Sequence, residues 1–221
     1  MRGPAHGVPM AERSSLEVVQ EALEKAPSRG FGETVELTVN LKDLDLTVPK
    51  NRIEDDMPLP NGRGKPVKVA LFGTPEMCQK VKGVVDLAVS SAELDDVIKD
   101  KKSAKRLVNQ MDFFLAEAPL MPTIGKRLGV VLGPRGKMPR PVPPGGDPTN
   151  LINSLKKSVR VRSKGNRTFH APVGTRAMTP EQIAQNVDAL LSRLIGRLER
   201  GATNIESAYL KTTMGPAVRL R

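Results

Sequence analysis

Val67-Lys-Val-Ala-Leu-Phe-Gly-Thr-Pro75 is an apolar run, broken once by Lys68, that ends in a Gly-Thr-Pro turn. A strand apolar on both sides belongs in a sheet covered on both faces, the habit of parallel βαβ units. Two more short apolar runs, Val84-Val-Asp-Leu-Ala-Val89 and Phe113-Phe-Leu-Ala116, follow with helical patterns between them. Residues 128–132 add a further short apolar stretch. The middle of the chain thus reads as α/β units around a parallel sheet.

Both ends of the chain have another rhythm. Over residues 33–41, Val35, Leu37, Val39 and Leu41 face one way and Thr34, Glu36, Thr38 and Asn40 the other. That is the period of a strand with one packed and one polar side. Residues 159–162 and 168–171 alternate too, and can pair around the turn Ser163-Lys-Gly-Asn166; residues 205–213 form a last strand. Ser14 and Glu17 have capping-box spacing ahead of a first helix. Thr179-Pro-Glu-Gln182 starts a stronger one, whose apolar face is Ile183, Val187, Leu190, Leu191, Leu194 and Leu198. Two Pro/Gly-rich stretches, Pro58-Leu-Pro-Asn-Gly-Arg-Gly-Lys-Pro66 and the one over residues 133–148, read as linkers dividing the chain into three pieces. Half-polar strands and helices at both ends of a parallel α/β middle suggest a discontinuous outer domain carrying an insertion.

The 221 residues suffice for two modest domains, and the net charge of +11 favours polyanionic partners. The charge is uneven: residues 1–64 are net −3, residues 65–155 net +5, and residues 156–221, with 13 basic and 4 acidic groups, net +9. A single cysteine, Cys78, excludes an intramolecular disulfide and fits a reducing compartment. No apolar run reaches membrane-spanning length. The opening residues read as a flexible extension.

Catalytic chemistry is poorly represented. Two histidines, His6 and His170, cannot form a metal cluster. Leu132-Gly-Pro-Arg-Gly-Lys-Met138 fails the phosphate-loop pattern: Val131 stands five residues before Gly136 where a glycine is needed, and Met138 replaces the hydroxyl that would hold magnesium. Phe72-Gly-Thr-Pro75 sits where α/β folds bind ligands but lacks the GxGxxG glycines. The acid pairs Asp55-Asp56 and Asp95-Asp96 read as solvated surface. The chain's end, Thr213-Met-Gly-Pro216, joins a polar strand to a glycine and a fixed proline, with Lys211, Arg219 and Arg221 around it. It suits contact with a phosphate-bearing surface, and equally an ordinary strand-ending turn.

Leu132-Gly-Pro-Arg-Gly-Lys-Met-Pro139, Phe169-His-Ala-Pro-Val-Gly174 and the terminal Thr212-Thr-Met-Gly-Pro216 occur in an order that resembles the ribosomal protein L-one family, from about Ser14 to Arg221. Asn51-Arg-Ile53, Leu59-Pro-Asn-Gly-Arg-Gly-Lys65 and Asp112-Phe-Phe114 look like its archaeal branch. The resemblance implies a two-domain α/β fold. A discontinuous outer domain, residues 14–65 and 156–221, carries an inserted Rossmann-like three-layer domain, residues 66–155, with residues 1–13 a flexible extension and the two linkers at the hinges. It implies a cytoplasmic, ribosomal, non-enzymatic protein without cofactor or metal. The implied partners are the large-subunit ribosomal RNA stalk, exit-site tRNA whose release it assists, and its own messenger RNA, whose translation it represses. No membrane is involved, and the free chain is expected to be a monomer.

The same resemblance puts an RNA surface on one face of the outer sheet. Phe31 packs on ribose or base, or else in the core; Thr34 and Glu36 lie on the polar strand face, where a carboxylate can accept from a base amino group or a 2′-hydroxyl. Arg162 and Lys164 flank a turn and meet phosphates, or are soluble surface; His170 is a contact or a structural histidine. Thr213, Met214 and Gly215 form the central contacting turn, reading shape through close backbone approach. Asn40 stands where many bacterial members carry Lys, which removes a phosphate contact. Arg135-Gly-Lys137 faces secondary RNA or shapes the hinge. Low aromatic content, 5 Phe and 1 Tyr, speaks for a reader of folded RNA over a base-stacking single-strand binder. The alternative from another class is an α/β nucleotide-dependent enzyme or regulator with incidental RNA binding.

Overall fold

A computed structural model describes residues 13–48, 51–94 and 101–221. They form two compact units: one from the residues up to Lys65 together with Lys157–Arg221, the other from Pro66–Lys156. The first unit opens with α1 (Ser15–Glu24), β1 (Thr34–Leu41) and β2 (Glu54–Pro58). The second holds β3 (Val69–Gly73), α2 (Pro75–Lys80), β4 (Leu87–Ser90), α3 (Lys101–Gln110) and β5 (Phe113–Glu117). It ends with α4 (Met121–Arg135), β6 (Arg140–Val142) and α5 (Thr149–Lys156). The chain then returns to the first unit through β7 (Ser158–Arg162), β8 (Thr168–Thr175), α6 (Pro180–Arg197), β9 (Ile205–Thr212) and β10 (Val218–Arg219). Of the expected N-terminal extension, residues 1–12 lie outside the described residues, as do Asp95 and Asp96.

In the first unit an antiparallel sheet has the order β10-β9-β1-β8, with β1 between its two long partners. The alternation of β1 is realised residue by residue: Val35, Leu37, Val39 and Leu41 are fully buried. They join Val18, Val19 and Ala22 of α1 and Ile183, Val187, Leu190 and Leu194 of α6 in one core. Both helices start at the capping residues the sequence marks. Ser14 Oγ accepts from the Glu17 amide at 3.2 Å, and Thr179 with Gln182 forms a complete capping box.

One pairing differs from the sequence reading. Strand β7 does not form a hairpin with β8; it pairs with β2 in a separate two-stranded sheet, while β8 pairs with β1. Asp56 contributes to this pairing, alongside the burial of Met57, Val159 and Val161 in the core. It is buried, not solvated, and its carboxylate takes Arg160 Nε at 2.7 Å and Nη2 at 3.1 Å in a fork across the β2–β7 ladder. Ile53 and Ser163 close that ladder with reciprocal hydrogen bonds of 3.0 and 2.8 Å.

The second unit is a parallel sheet of order β4-β3-β5-β6, apolar on both faces. One face packs on α3 and α4 through Phe72, Phe114, Val108, Ile124 and Leu128. The other packs on α2 and α5 through Leu71, Leu115, Met77 and Ile152. Residues 128–132 belong to helix α4, which buries Ile124, Leu128, Val131 and Leu132 and exposes Val130; a short apolar run does not distinguish strand from helix. The second Pro/Gly stretch is not a junction, because the chain leaves this unit only after Lys156. Its residues end α4, where Gly136 (φ 64°) is a left-handed cap, and supply β6, an edge strand that tolerates Pro141. Lys137 Nζ donates to Val108 O at 2.8 Å and Met111 O at 2.7 Å, and Arg135 Nε to Asn109 Oδ1 at 3.0 Å. This Arg-Gly-Lys segment ties α4 to α3.

Candidate nucleic-acid interface

The face of the first unit's sheet opposite its helices carries polar side chains in register. Glu36 lies between Lys211 and Pro172, Thr38 between Tyr209 and His170, and Asn40 between Ser207 and Thr168. Arg219 of β10 extends the row of Tyr209. Cross-strand hydrogen bonds fix this surface. Thr38 Oγ1 is 2.9 Å from His170 Nδ1, Asn40 Nδ2 donates to Ser207 Oγ at 2.8 Å, and Thr168 Oγ1 donates to Asn40 Oδ1 at 2.7 Å. Asn40 thus bridges both neighbouring strands. Lys65, exposed, reaches Thr34 Oγ1 at 2.8 Å.

At one edge of the face the Thr212–Gly215 turn is held onto the start of β1. The Thr213 amide donates to Thr34 O at 3.0 Å, the Thr34 amide to Thr213 Oγ1 at 3.2 Å, and Gly215 N to Thr212 O at 3.2 Å. Behind the turn lies Glu33, fully buried. Its carboxylate accepts from the Met214 amide at 3.3 Å and from Thr212 Oγ1 at 3.4 Å, and pairs with Arg176 Nη1 at 3.2 Å. In front, Met214 remains 56% exposed and Phe31, two residues before Glu33, 51% exposed.

Of the residues singled out from sequence, Thr34, Glu36 and His170 lie on this face and Thr213, Met214 and Gly215 at its edge. Phe31 is outside the core. Gly215 has an internal reason to be glycine: an added Cβ would stand 2.4 Å from Thr212 Oγ1 and 3.2 Å from Ala26 Cβ. Arg162 belongs to the two-stranded sheet, with its Nε 2.9 Å from Glu54 Oε1. Lys164 is exposed at the tip of the turn between β7 and β8, with φ 51°. The structure does not bring either onto the open face. Sequence names Lys211 and Arg219 only as basic neighbours of the terminal turn and does not point to Lys65 or Tyr209; the strand register is what aligns Tyr209, Lys211 and Arg219 with Glu36 and Thr38.

Competing sites are weak. The parallel sheet switches direction between β3 and β5, where α/β folds hold ligands. There the buried Glu117 carboxylate takes the Thr74 amide and hydroxyl, both at 3.0 Å, consuming donors a phosphate would need. Burial also pushes the thiol of half-buried Cys78 up. Among the described residues no group of three or more His, Cys, Asp or Glu could hold a metal, and no helix is long and apolar enough to cross a membrane.

The sequence pattern of the Ribosomal protein L1p/L10e family matches residues 22–216. The large ribosomal subunit protein uL1 of Thermoplasma acidophilum is 54% identical over 203 residues, 92% of this chain and 94% of that protein. The uL1 of Methanocella arvoryzae is 50% identical over 96% of this chain and its own full length, and that of Pyrococcus horikoshii 48% identical over 93% and 94%. These relatives are named as ribosomal proteins, and not as enzymes. On a match that spans both units, the chain belongs to the Ribosomal protein L1p/L10e family.

Proposed function

We propose that the chain is a non-catalytic RNA-binding protein of the large ribosomal subunit, and that the open sheet face with the Thr213-Met214-Gly215 turn grips the ribosomal RNA stalk beside the tRNA exit site. The observation that carries this reading is the turn. Met214 stands exposed on a backbone anchored from behind by a buried carboxylate and from the side by Thr34. Side chains already paired across the strands present a fixed relief, which suits recognition of folded RNA by shape and by 2′-hydroxyls. Bound to the stalk, the protein assists deacylated tRNA release; as a free monomer it uses the same surface to repress its own messenger, when that RNA mimics the stalk. The discontinuous outer domain and inserted domain form the frame for both activities.

The test is a titration of the purified protein against a folded stalk RNA fragment, beside a scrambled RNA of equal length and charge, at two salt concentrations. Tight stalk binding that survives moderate salt, with weak scrambled binding, is expected. Equal, salt-labile binding to both would reduce the surface to a generic polyanion binder and refute the reading. Messenger repression is tested separately, by adding the protein to translation of its own message with the stalk-like element intact or disrupted.

A further inference from the structure

Glu33 faces away from any RNA that the open face could hold, yet two hydrogen bonds from the contacting turn end on it. Its Oε1 collects the Met214 amide and the Thr212 hydroxyl, and its Oε2 collects Arg176 Nη1. The Arg176 amide donates to Glu33 O at 3.0 Å, so the two residues are joined through backbone and side chain alike. Arg176 also donates to Pro27 O at 3.0 Å and Ala26 O at 3.3 Å, drawing in the chain after α1. Ala26 in turn lies against Gly215, closing the cluster. A fully buried carboxylate costs several kcal/mol to desolvate unless it is paired and hydrogen-bonded; here Arg176 supplies the countercharge and the turn supplies the two donors to Oε1.

We propose that Glu33, with Arg176 as its counterion, is a positioning residue for RNA recognition: an internal anion that holds the Thr212–Gly215 turn in the form RNA reads. The inference rests on the proposed function of that turn. Its physical content is preorganisation. A turn already ordered in the free protein pays little conformational entropy on binding, whereas a loosened one pays at the moment of contact. Because Glu33 itself meets no phosphate, its loss should leave the number of displaced counterions unchanged.

Two variants test this in the full-length protein. Thr212→Val removes one donor to Glu33 with little change of volume and leaves the ion pair in place; Glu33→Gln removes the charge. Each is titrated with the folded stalk fragment and the scrambled RNA across a salt series, after melting establishes that it is folded. The expected result is stalk affinity lower by ~10-fold or more, the scale of losing one charged hydrogen bond, with scrambled-RNA binding and the salt slope unchanged. Wild-type stalk affinity in folded Thr212→Val and Glu33→Gln proteins would overturn the proposal. So would a slope reduced by about one, the signature of a lost phosphate contact. Should Glu33→Gln not fold, Thr212→Val alone decides by the same criteria. Wild-type protein that fails to discriminate the two RNAs would instead sink the function reading, which keeps the two failures distinct.

Discussion

Gly215→Ala puts one methyl group into the most constrained spot of the candidate interface. The new Cβ would stand 2.4 Å from Thr212 Oγ1 and 3.2 Å from Ala26 Cβ, where ordinary contact begins near 3.4 Å. Neither neighbour has free space, since Thr212 is fully buried and Ala26 4% exposed. Thr212 Oγ1 can yield only by leaving Glu33, which it meets at 3.4 Å. Overpacking of this kind costs ~1–3 kcal/mol, and loss of a hydrogen bond to a charged acceptor ~1.5–3 kcal/mol. With partial relaxation we expect about 2–4 kcal/mol in all, a fall in melting temperature of roughly 4–16 °C for a chain of this size. Urea unfolding followed by a probe in the first unit measures it. Gly30→Ala is the control: nothing lies within 4 Å of its added Cβ, and its cost should stay within ~0.5 kcal/mol. The double variant Thr212→Ala with Gly215→Ala should cost less than the sum of its parts, because the first change removes the atom in the way. A Gly215→Ala protein with wild-type midpoint and wild-type RNA affinity would refute the packing argument.

Other expectations separate binding from stability. Met214→Ala should weaken stalk-RNA binding ~10-fold in a filter-binding titration while shifting stability by no more than ~0.5 kcal/mol, since the side chain is mostly exposed. Lys137→Met should do the reverse: it strips the lysine from Val108 O and Met111 O, costs ~1–3 kcal/mol in unfolding of the second unit, and leaves stalk affinity unchanged. Cys78 should alkylate slowly at neutral pH, with a rate that rises through a pKa above the ordinary thiol value, because burial disfavours its thiolate. The sign follows for stability: the unfolded chain ionises first, so this contribution is present below the ordinary thiol pKa and is lost as pH rises through the raised one.

The strand periods and the helix caps were legible because each rests on local chemistry. Alternation in β1 names its buried face outright, and Thr179 with Gln182 announces the start of α6. What sequence left open was partnership between distant segments. Nothing local says that β7 prefers β2 to β8; the fork between Asp56 and Arg160 that spans the ladder joins residues far apart in the chain. Residues 133–148 carry the composition of a linker yet fold into a helix end and an edge strand, because a proline that ends a helix or borders a sheet looks the same as one in a loop. At the candidate interface the exposed residues proposed for contact, Met214 above all, come from the motif. Alternation puts Glu33 on the packed side with Val35, but only the fold brings Arg176 and Thr212 to its carboxylate.

Salt dependence measures how much of the chain's charge the interface uses. Residues 156–221 are net +9, and if that whole surface neutralised phosphates, affinity would fall with nearly the eighth power of salt. The open face is built otherwise. Its cations are Lys65, Lys211 and Arg219, and Glu36 sits directly opposite Lys211 in the strand register. Three cations, one partly compensated, give a slope of log K against log salt of roughly −2 to −3. Arg162 is already beside Glu54, Arg160 is forked on Asp56, and Arg176 faces the buried Glu33, so much of the positive count is spent within the fold. A measured slope of −2 to −3 on stalk RNA would mean that shape and hydroxyl contacts carry most of the affinity. A slope near −8 would mean that phosphates outside the sheet face dominate, and the interface would have to be extended toward Lys164 and the turn that holds it.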